Sequence, residues 1–207
     1  AGTPTSTGSS YTGYRLASIL GTVRYDFKNK YLLTANVRYD GSSRFGANQK
    51  FGTFYGISTG WRITQENFMK SLEFVNDLKL RASYGLTGIQ PSDDFRSIDL
   101  YGSGGTAGAY NGAASLRATQ LGNADLTWEE SAQINLGLDF SLFNNRLSGS
   151  VDVFQKNNTK LLLDRTLPSN SGFGSIRENA GEVEAKGIDV ELSTVNFDTN
   201  GFKWTSS

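Results

Sequence analysis

The chain has 207 residues, and its 20 lysines and arginines balance 20 aspartates and glutamates, so the formal net charge is zero. A neutral chain lacks the basic surface that binds nucleic-acid phosphates, and the absence of histidine and cysteine excludes disulfides, the usual nitrogen and sulfur zinc sites, and nucleophiles activated by histidine. The 13 phenylalanines, 9 tyrosines and 3 tryptophans exclude a disordered chain, and no apolar run approaches the roughly 18 residues of a membrane-spanning helix.

Apolar and polar residues alternate with a period of two along most of the chain, a pattern that predicts β-strands with one apolar and one polar face. The clearest case runs from Ser131 to Leu142, where every even position is apolar and every odd position is polar or glycine. In chain order, the predicted strands cover residues 15–27, 31–40, 53–63, 78–87, 131–142, 147–156 and 186–195, and an eighth begins near residue 202.

The connections between these strands alternate in length. Short turns are predicted at residues 28–30, 143–146 and 198–201, which contain the Asn, Asp and Gly residues that hairpins favour, and a short helix is predicted over residues 65–76. Long connections cover residues 41–52, 88–130 and 157–185. If successive strands run up and down, all three long connections lie at one end of the sheet.

Strands of about ten residues with long connections at one end are typical of outer-membrane β-barrels, which place short turns in the periplasm and long loops outside. Strands in soluble domains average about five to six residues. Aromatic residues near the predicted strand ends also favour a barrel. Alternation alone leaves a second interpretation open, a soluble β-sandwich whose apolar face is its core.

Several strings in the chain resemble, in order, segments of the SusC/RagA-type TonB-linked outer-membrane transporters. The resemblance runs from about Tyr25 to Trp204, and Ala124 stands where that family usually has proline. The strings are YLLTANVRYDGSSRFG (residues 31–46), GWRI (60–63), ENFM (66–69), NDLKLRASYG (76–85), LGNADLTWE (121–129), LFNNRLSGSVD (142–152), and GEV (181–183) with KGID (186–189).

The resemblance implies an all-β fold, an antiparallel transmembrane β-barrel segment with seven to eight strands of a barrel of about 22. Residues 1–207 would then all belong to the barrel domain, and the plug domain, TonB box and signal peptide would lie outside this segment. The implied location is the bacterial outer membrane, in contact with its lipid.

The function implied by the resemblance is active import of large nutrients, oligosaccharides or peptides, with no catalysis and no cofactor. The implied partners are a SusD-like surface lipoprotein and the TonB–ExbB–ExbD energy-coupling complex, which acts through the plug. Two alternatives remain at this point: a passive porin or structural barrel, and a soluble β-sandwich that binds carbohydrate.

The predicted polar face carries charged residues that we expect to face the lumen. They could line a substrate path or grip the plug, or they could simply pair with one another across neighbouring strands in a wet lumen. The lumen-facing candidates are Arg38, Asp40, Arg62, Lys79, Arg81, Asp139, Asp152, Asp189 and Glu191.

Other motifs carry weaker signals. Residues 102–107 fit a nucleotide-binding glycine pattern, but they lie in a long Gly-rich connection and we expect a flexible loop there. Residues 40–44 are expected to form a structural strand-to-loop corner, and Trp128 is expected to begin a strand at the membrane interface. Asp93 and Asp94 suggest a calcium site in a loop, without further support.

Overall fold

The computed structural model describes residues 11–103, 115–199 and 201–207. Eight long strands form one antiparallel sheet in which each strand pairs with its neighbours along the chain, and the two outermost strands are left as open edges. In sheet order the strands are β1 (Leu16–Phe27), β2 (Tyr31–Ser42), β3 (Phe51–Arg62), β4 (Val75–Ile89), β7 (Glu129–Leu142), β8 (Leu147–Thr159), β11 (Glu182–Thr199) and β12 (Phe202–Ser206).

The eight predicted strands are confirmed, and most of them are longer than expected. β11 extends over 18 residues and β4 over 15. β4 ends and β11 begins inside the predicted long connections. The two longest connections also hold two small hairpins, β5 (Leu100–Ser103) with β6 (Leu116–Gln120) and β9 (Leu162–Thr166) with β10 (Ser175–Asn179).

The predicted helix over residues 65–76 is wrong. The β3–β4 connection instead contains two 3₁₀ turns, Ile63–Gln65 and Asn67–Met69, and Glu66 between them has an extended backbone with φ −80° and ψ 149°. Neither turn has a side-chain cap, and an isolated helix this short is marginal in water. In the described part of the chain, no helix has the length and hydropathy needed to cross a bilayer.

The predicted short turns are confirmed by the register of the strands they join. Phe27 pairs with Tyr31, and Leu142 pairs with Leu147. Both turns use left-handed backbone, with φ of 56° at Asn29, a conformation that asparagine tolerates better than most residues. In the third turn Gly201 has φ 97°, while Asn200 lies outside the described residues.

The register places apolar residues of all strands on one face of the sheet and polar residues on the other. We call these the apolar face and the polar face. One row of paired residues on the apolar face is Tyr25, Leu33, Thr59, Ala82, Leu136, Val153 and Ile188. The row beside it on the polar face is Thr34, Ser58, Ser83, Asn135, Phe154 and Gly187.

The sheet has two distinct ends. The long-loop end carries the connections after β2, β4 and β8, and the short-turn end carries the connections after β1, β3, β7 and β11. The buried apolar cluster lies at the long-loop end and consists of Phe45, Phe54, Leu126 and Trp128. The described part of the sheet therefore has its core in the packed loops, while both faces of the wall are left uncovered.

Candidate functional site

A charge network lies on the polar face, toward the short-turn end. The Arg81 guanidinium donates from Nε to Asp139 Oδ2 over 2.8 Å and from Nη2 to Asp139 Oδ1 over 2.7 Å. The same Nη2 lies 3.0 Å from Asp152 Oδ2, and Lys79 Nζ lies 3.8 Å from Asp139 Oδ2. The two-pronged contact orients the guanidinium, so Arg81 bridges β4, β7 and β8.

Arg81 reaches Asp152 because the strand between them presents a glycine. Gly137 pairs with Arg81 on one side and with Asp152 on the other. A Cβ at Gly137 would lie 2.8 Å from Arg81 Cζ and would overlap Asp152 Oδ1. Glycine at this position therefore leaves the space through which the ion pair crosses β7.

On the polar face, the predicted candidates on β3 and β4 are basic, namely Arg62, Lys79 and Arg81, and those on β7, β8 and β11 are acidic. Asp189 is placed directly opposite Asp152, a like-charged pair. Within the described ranges, the side chains of Arg62, Asp189 and Glu191 form no ion pair with other described residues. They are the predicted candidates that stay available to another group.

Arg38 and Asp40 pair with each other on β2, where Arg38 Nε lies 2.7 Å from Asp40 Oδ1. Asp40 is 3% exposed and is among the most buried charged groups of the described chain. All nine predicted candidates thus lie on the polar face. Whether that face lines a lumen stays a prediction at this point.

Next to the charge network, the polar face has a recess of about 390 Å³. Gly56 and Gly85 lie opposite each other on β3 and β4 and supply no side chains, so they form its floor. Amide and hydroxyl groups surround it, with one cation. The polar groups come from Asn36, Ser58, Ser83, Gln133, Asn135 and Lys156, and Tyr55, Ile57, Tyr84 and Leu86 also line the recess. Such a lining suits a polar, uncharged group.

The predicted strand-to-loop corner at residues 40–44 is confirmed in part, because β2 continues through Ser42 and the chain leaves the strand only at Ser43. Ser43 exchanges hydrogen bonds with the backbone of Arg15, over 2.9 Å and 3.0 Å. Arg44 Nε donates to Asp94 over 2.7 Å and its Nη1 donates to the Pro91 carbonyl over 2.9 Å. The corner therefore also joins the first long connection to the second.

Trp128 is buried in the loop cluster, and its expected place at the membrane interface is wrong. Its ring centroid lies 4.6 Å from that of Phe45 and 5.3 Å from that of Phe54, and it is 5% exposed. Its indole N–H donates to the Lys50 carbonyl over 3.3 Å. The strand begins at Glu129, one residue after Trp128. Phe45 and Phe54, from two segments distant in the chain, enclose the indole ring. Their packing and the hydrogen bond to Lys50 stabilise the buried position more than the membrane interface would.

The third long connection is clamped onto the second by side chains that the sequence did not single out. The Asn179 amide exchanges hydrogen bonds with the Thr127 backbone over 2.8 Å and 2.9 Å. Arg177 Nη2 lies 3.2 Å from Asp93 Oδ2, and Arg96 contacts the same oxygen over 3.2 Å. No local pattern identifies Arg177, because its partner lies in another connection.

Asp93 is held as a carboxylate by this clamp. Burial alone would raise the pKa of the Asp93 carboxyl, but the hydrogen bond from Arg177 and the charges of Arg96 and Arg177 outweigh it, so the pKa lies below its ordinary value. Asp94 is paired with Arg44. The suggested calcium site would have to displace these arginines, and among the described residues no group of three or more acidic residues is placed to hold a metal.

The glycine pattern at residues 102–107 is only partly described. Gly102 and Ser103 end β5, and residues 104–107 lie outside the described residues.

Comparison with known proteins gives a consistent match. The model of the family described as TonB dependent receptor-like, beta-barrel, matches residues 1–207. TonB-dependent receptor P39 of Formosa agariphila is 48% identical over 201 residues, which are 97% of this chain and 19% of that protein. TonB-dependent receptor SusC of Bacteroides thetaiotaomicron is 34% identical over 197 residues, 93% of this chain and 20% of that protein. The chain therefore spans about a fifth of the length of these relatives.

Solved structures agree with the sequence relatives. The RagAB peptide importer in its open-open state matches with a TM-score of 0.84 and 30% identity, covering 92% of this chain and 20% of that chain. The ferric enterobactin receptor PfeA from Pseudomonas aeruginosa matches with a TM-score of 0.62 and 16% identity, covering 93% and 26% of the two chains, a likeness of fold alone. The sheet is therefore a piece of barrel wall, and the sandwich interpretation is not favoured.

Proposed function

This chain belongs to the TonB-dependent receptor-like β-barrel family, in its SusC/RagA branch, and to the outer membrane; we propose that it forms part of the wall of an active importer for large polar nutrients. The observation that carries the proposal is the division of the sheet. One face is predominantly apolar along the long strands, the other carries the charged, amide and hydroxyl groups, and the three long connections pack together at one end. A wall of this kind separates lipid from a wet path.

In this proposal the polar face of the described residues faces the lumen. The Arg81 network is already satisfied within the wall, so its role is to tie three strands together. The charges without a partner in the wall, Arg62, Asp189 and Glu191, are the groups that contact the plug or the passing substrate. The recess above Gly56 and Gly85 offers amide and hydroxyl groups to a sugar hydroxyl or a peptide group.

The long-loop end is proposed to face the outside of the cell. Its packed connections would form the rim on which a SusD-like lipoprotein closes, and the plug would link the barrel to TonB–ExbB–ExbD. The substrate is an oligosaccharide or a peptide. No residue of the described chain is proposed to do chemistry on it.

Uptake by whole cells tests this function. The full-length transporter is produced in its host with TonB present or deleted, and entry of labelled oligosaccharides and labelled peptides is measured. We expect uptake of one of the two classes, and we expect it to stop without TonB. Uptake that continues unchanged without TonB would support a passive porin instead, and no uptake of either class would contradict the proposal.

Variants then test the role of the lumen charges. The Asp189→Asn and Glu191→Gln double variant should lower uptake while the amount of protein in the outer membrane stays constant. Asp198→Asn is the matched control, because this acidic residue lies on the same strand beside the short-turn end and makes only a long contact of 3.9 Å to Lys203. Equal uptake by both variants would contradict a role for the unpaired charges.

A further inference from the structure

The β3–β4 connection, residues 63–74, exposes large apolar side chains at the short-turn end of the sheet. Phe68 is 63% exposed, and Leu72 and Phe74 are also exposed. Phe143, in the neighbouring β7–β8 turn, is exposed beside them. A cluster of aromatic and aliphatic side chains rarely faces water on a soluble surface, and it marks a site of contact with a partner or a membrane.

Glu66 fastens this connection to the apolar face of the wall. Its carboxylate accepts hydrogen bonds from Tyr31 Oη over 2.9 Å and from Trp61 Nε1 over 3.3 Å. Lys30 Nζ lies 2.9 Å from the other carboxylate oxygen. Hydrogen bonds from Lys30, Tyr31 and Trp61 lower the pKa of the Glu66 carboxyl, so it is ionised at neutral pH.

The partners of Glu66 show on which side of the wall the connection lies. Tyr31 and Trp61 pair with each other, and they belong to a row of the apolar face. The row continues through Leu80, Leu138, Val151 and Val190. A side chain that reaches Tyr31 Oη and Trp61 Nε1 is therefore on the lipid side, so the connection begins outside the polar face.

The far end of the connection is held beside the next turn. The Phe143 backbone N–H donates to the Phe74 carbonyl over 2.8 Å, and the two rings stack with centroids 6.0 Å apart. Lysines 28, 30 and 70 lie on the same short-turn end. Aromatic side chains and lysines together suit the boundary between acyl chains and phosphate headgroups.

We propose that residues 63–74 form an interfacial element that lies in the phospholipid headgroup layer at the short-turn end, and that Glu66 positions it there. The occupant of the exposed apolar surface is thus phospholipid. The argument is continuity: the surface is joined through Tyr31 and Trp61 to the apolar face, which the proposed function places in lipid. The proposal depends on the fold and is independent of the imported substrate.

Spin labelling of the full-length transporter in phosphatidylethanolamine and phosphatidylglycerol vesicles tests this placement. A label at Phe68→Cys is compared with Leu136→Cys on the apolar face and with Asn29→Cys at the tip of the β1–β2 turn, after any other cysteines are replaced. Collision with oxygen reports lipid, and collision with a water-soluble nickel chelate reports water. We expect Phe68 to collide with oxygen several times more often than Asn29.

Two outcomes would overturn the proposal. A label at Phe68 that matches Asn29 would place the connection in water, and a label that collides with neither probe would place it under protein, such as the plug. Glu66→Ala should shift the Phe68 label toward water, whereas Glu73→Ala, an exposed acid in the same connection, should leave it unchanged. Equal effects of the two variants would exclude Glu66 as the positioning residue.

Discussion

The depth of Leu136 in the membrane allows a direct test of which face contacts lipid. The apolar positions of β7 run from Ala132 to Leu142, and ten steps of about 3.3 Å give about 33 Å along the strand. At a tilt of about 40° this spans about 25 Å, which matches the apolar band of outer-membrane barrels. Leu136 lies one residue from the middle of that segment.

Leu136→Arg would therefore place a charge near the centre of the bilayer. Arginine at this depth costs about 2–4 kcal/mol, which corresponds to an approximately 30- to 900-fold drop in the ratio of folded to unfolded protein. The neighbouring Asn135 lies on the polar face, where its amide donates to Asp152 Oδ1 over 3.2 Å. An arginine at residue 135 would meet water and this carboxylate, so we expect a cost well below that of Leu136→Arg.

The assay is denaturant unfolding of the full-length protein in lipid vesicles, together with its yield in the outer membrane. Leu136→Met is the control for a change of shape without charge. Equal destabilisation by arginine at residues 135 and 136, or the reverse order, would mean that the two faces have been assigned to the wrong environments.

Three further predictions concern the network and the loops. Gly137→Ala should separate Arg81 from Asp152 and cost about 1 kcal/mol of unfolding free energy, and this cost should fall in an Asp152→Ala background, where the carboxylate that meets the new Cβ is absent. Because the pKa of the Asp93 carboxyl is lowered, its contacts with Arg96 and Arg177 should stabilise the fold fully at pH values above the ordinary pKa near 3.8. This stabilisation should be lost as the pH falls through the lowered pKa. The rate of hydrogen exchange in β10 should therefore differ between the wild type and Asp93→Asn at neutral pH and become equal in acid. Replacing residues 102–112 with a short Gly/Ser linker should leave the barrel inserted while uptake falls, and added protease should cleave this connection on intact cells.

Each of these has a result that would count against it. Gly85→Ala is the matched control for Gly137→Ala, because a Cβ at residue 85 would have no neighbouring atom nearer than 4.0 Å. A similar loss of unfolding free energy in both variants would mean that the cost comes from the change of glycine to alanine in a strand and not from the ion pair. If Asp93→Asn leaves the hydrogen exchange of β10 unchanged at neutral pH, the contacts of Asp93 do not stabilise this connection. Cleavage of residues 102–112 only after the outer membrane is broken would reverse the orientation of every strand.

The long strands and their two faces are determined locally. Alternation from Ser131 to Leu142 suffices to predict β7, because a strand places successive side chains on opposite faces whatever its neighbours are. The short turns are local for the same reason, since residues 28–30 and 143–146 set the register of their own hairpins. Up-and-down order then places all long connections at one end.

The tertiary structure alone decided how the connections pack. Trp128 is buried because Phe45 and Phe54, more than 70 residues earlier in the chain, enclose it. Arg177 finds Asp93 across 84 residues, and no periodicity carries that information. The helical spacing over residues 65–76 misled for a related reason. An isolated helix of about 12 residues is only marginally stable, whereas the contacts of Glu66 with the wall hold its backbone extended. Local patterns determine strands and faces, and contacts between distant segments determine the loops in which the candidate rim lies.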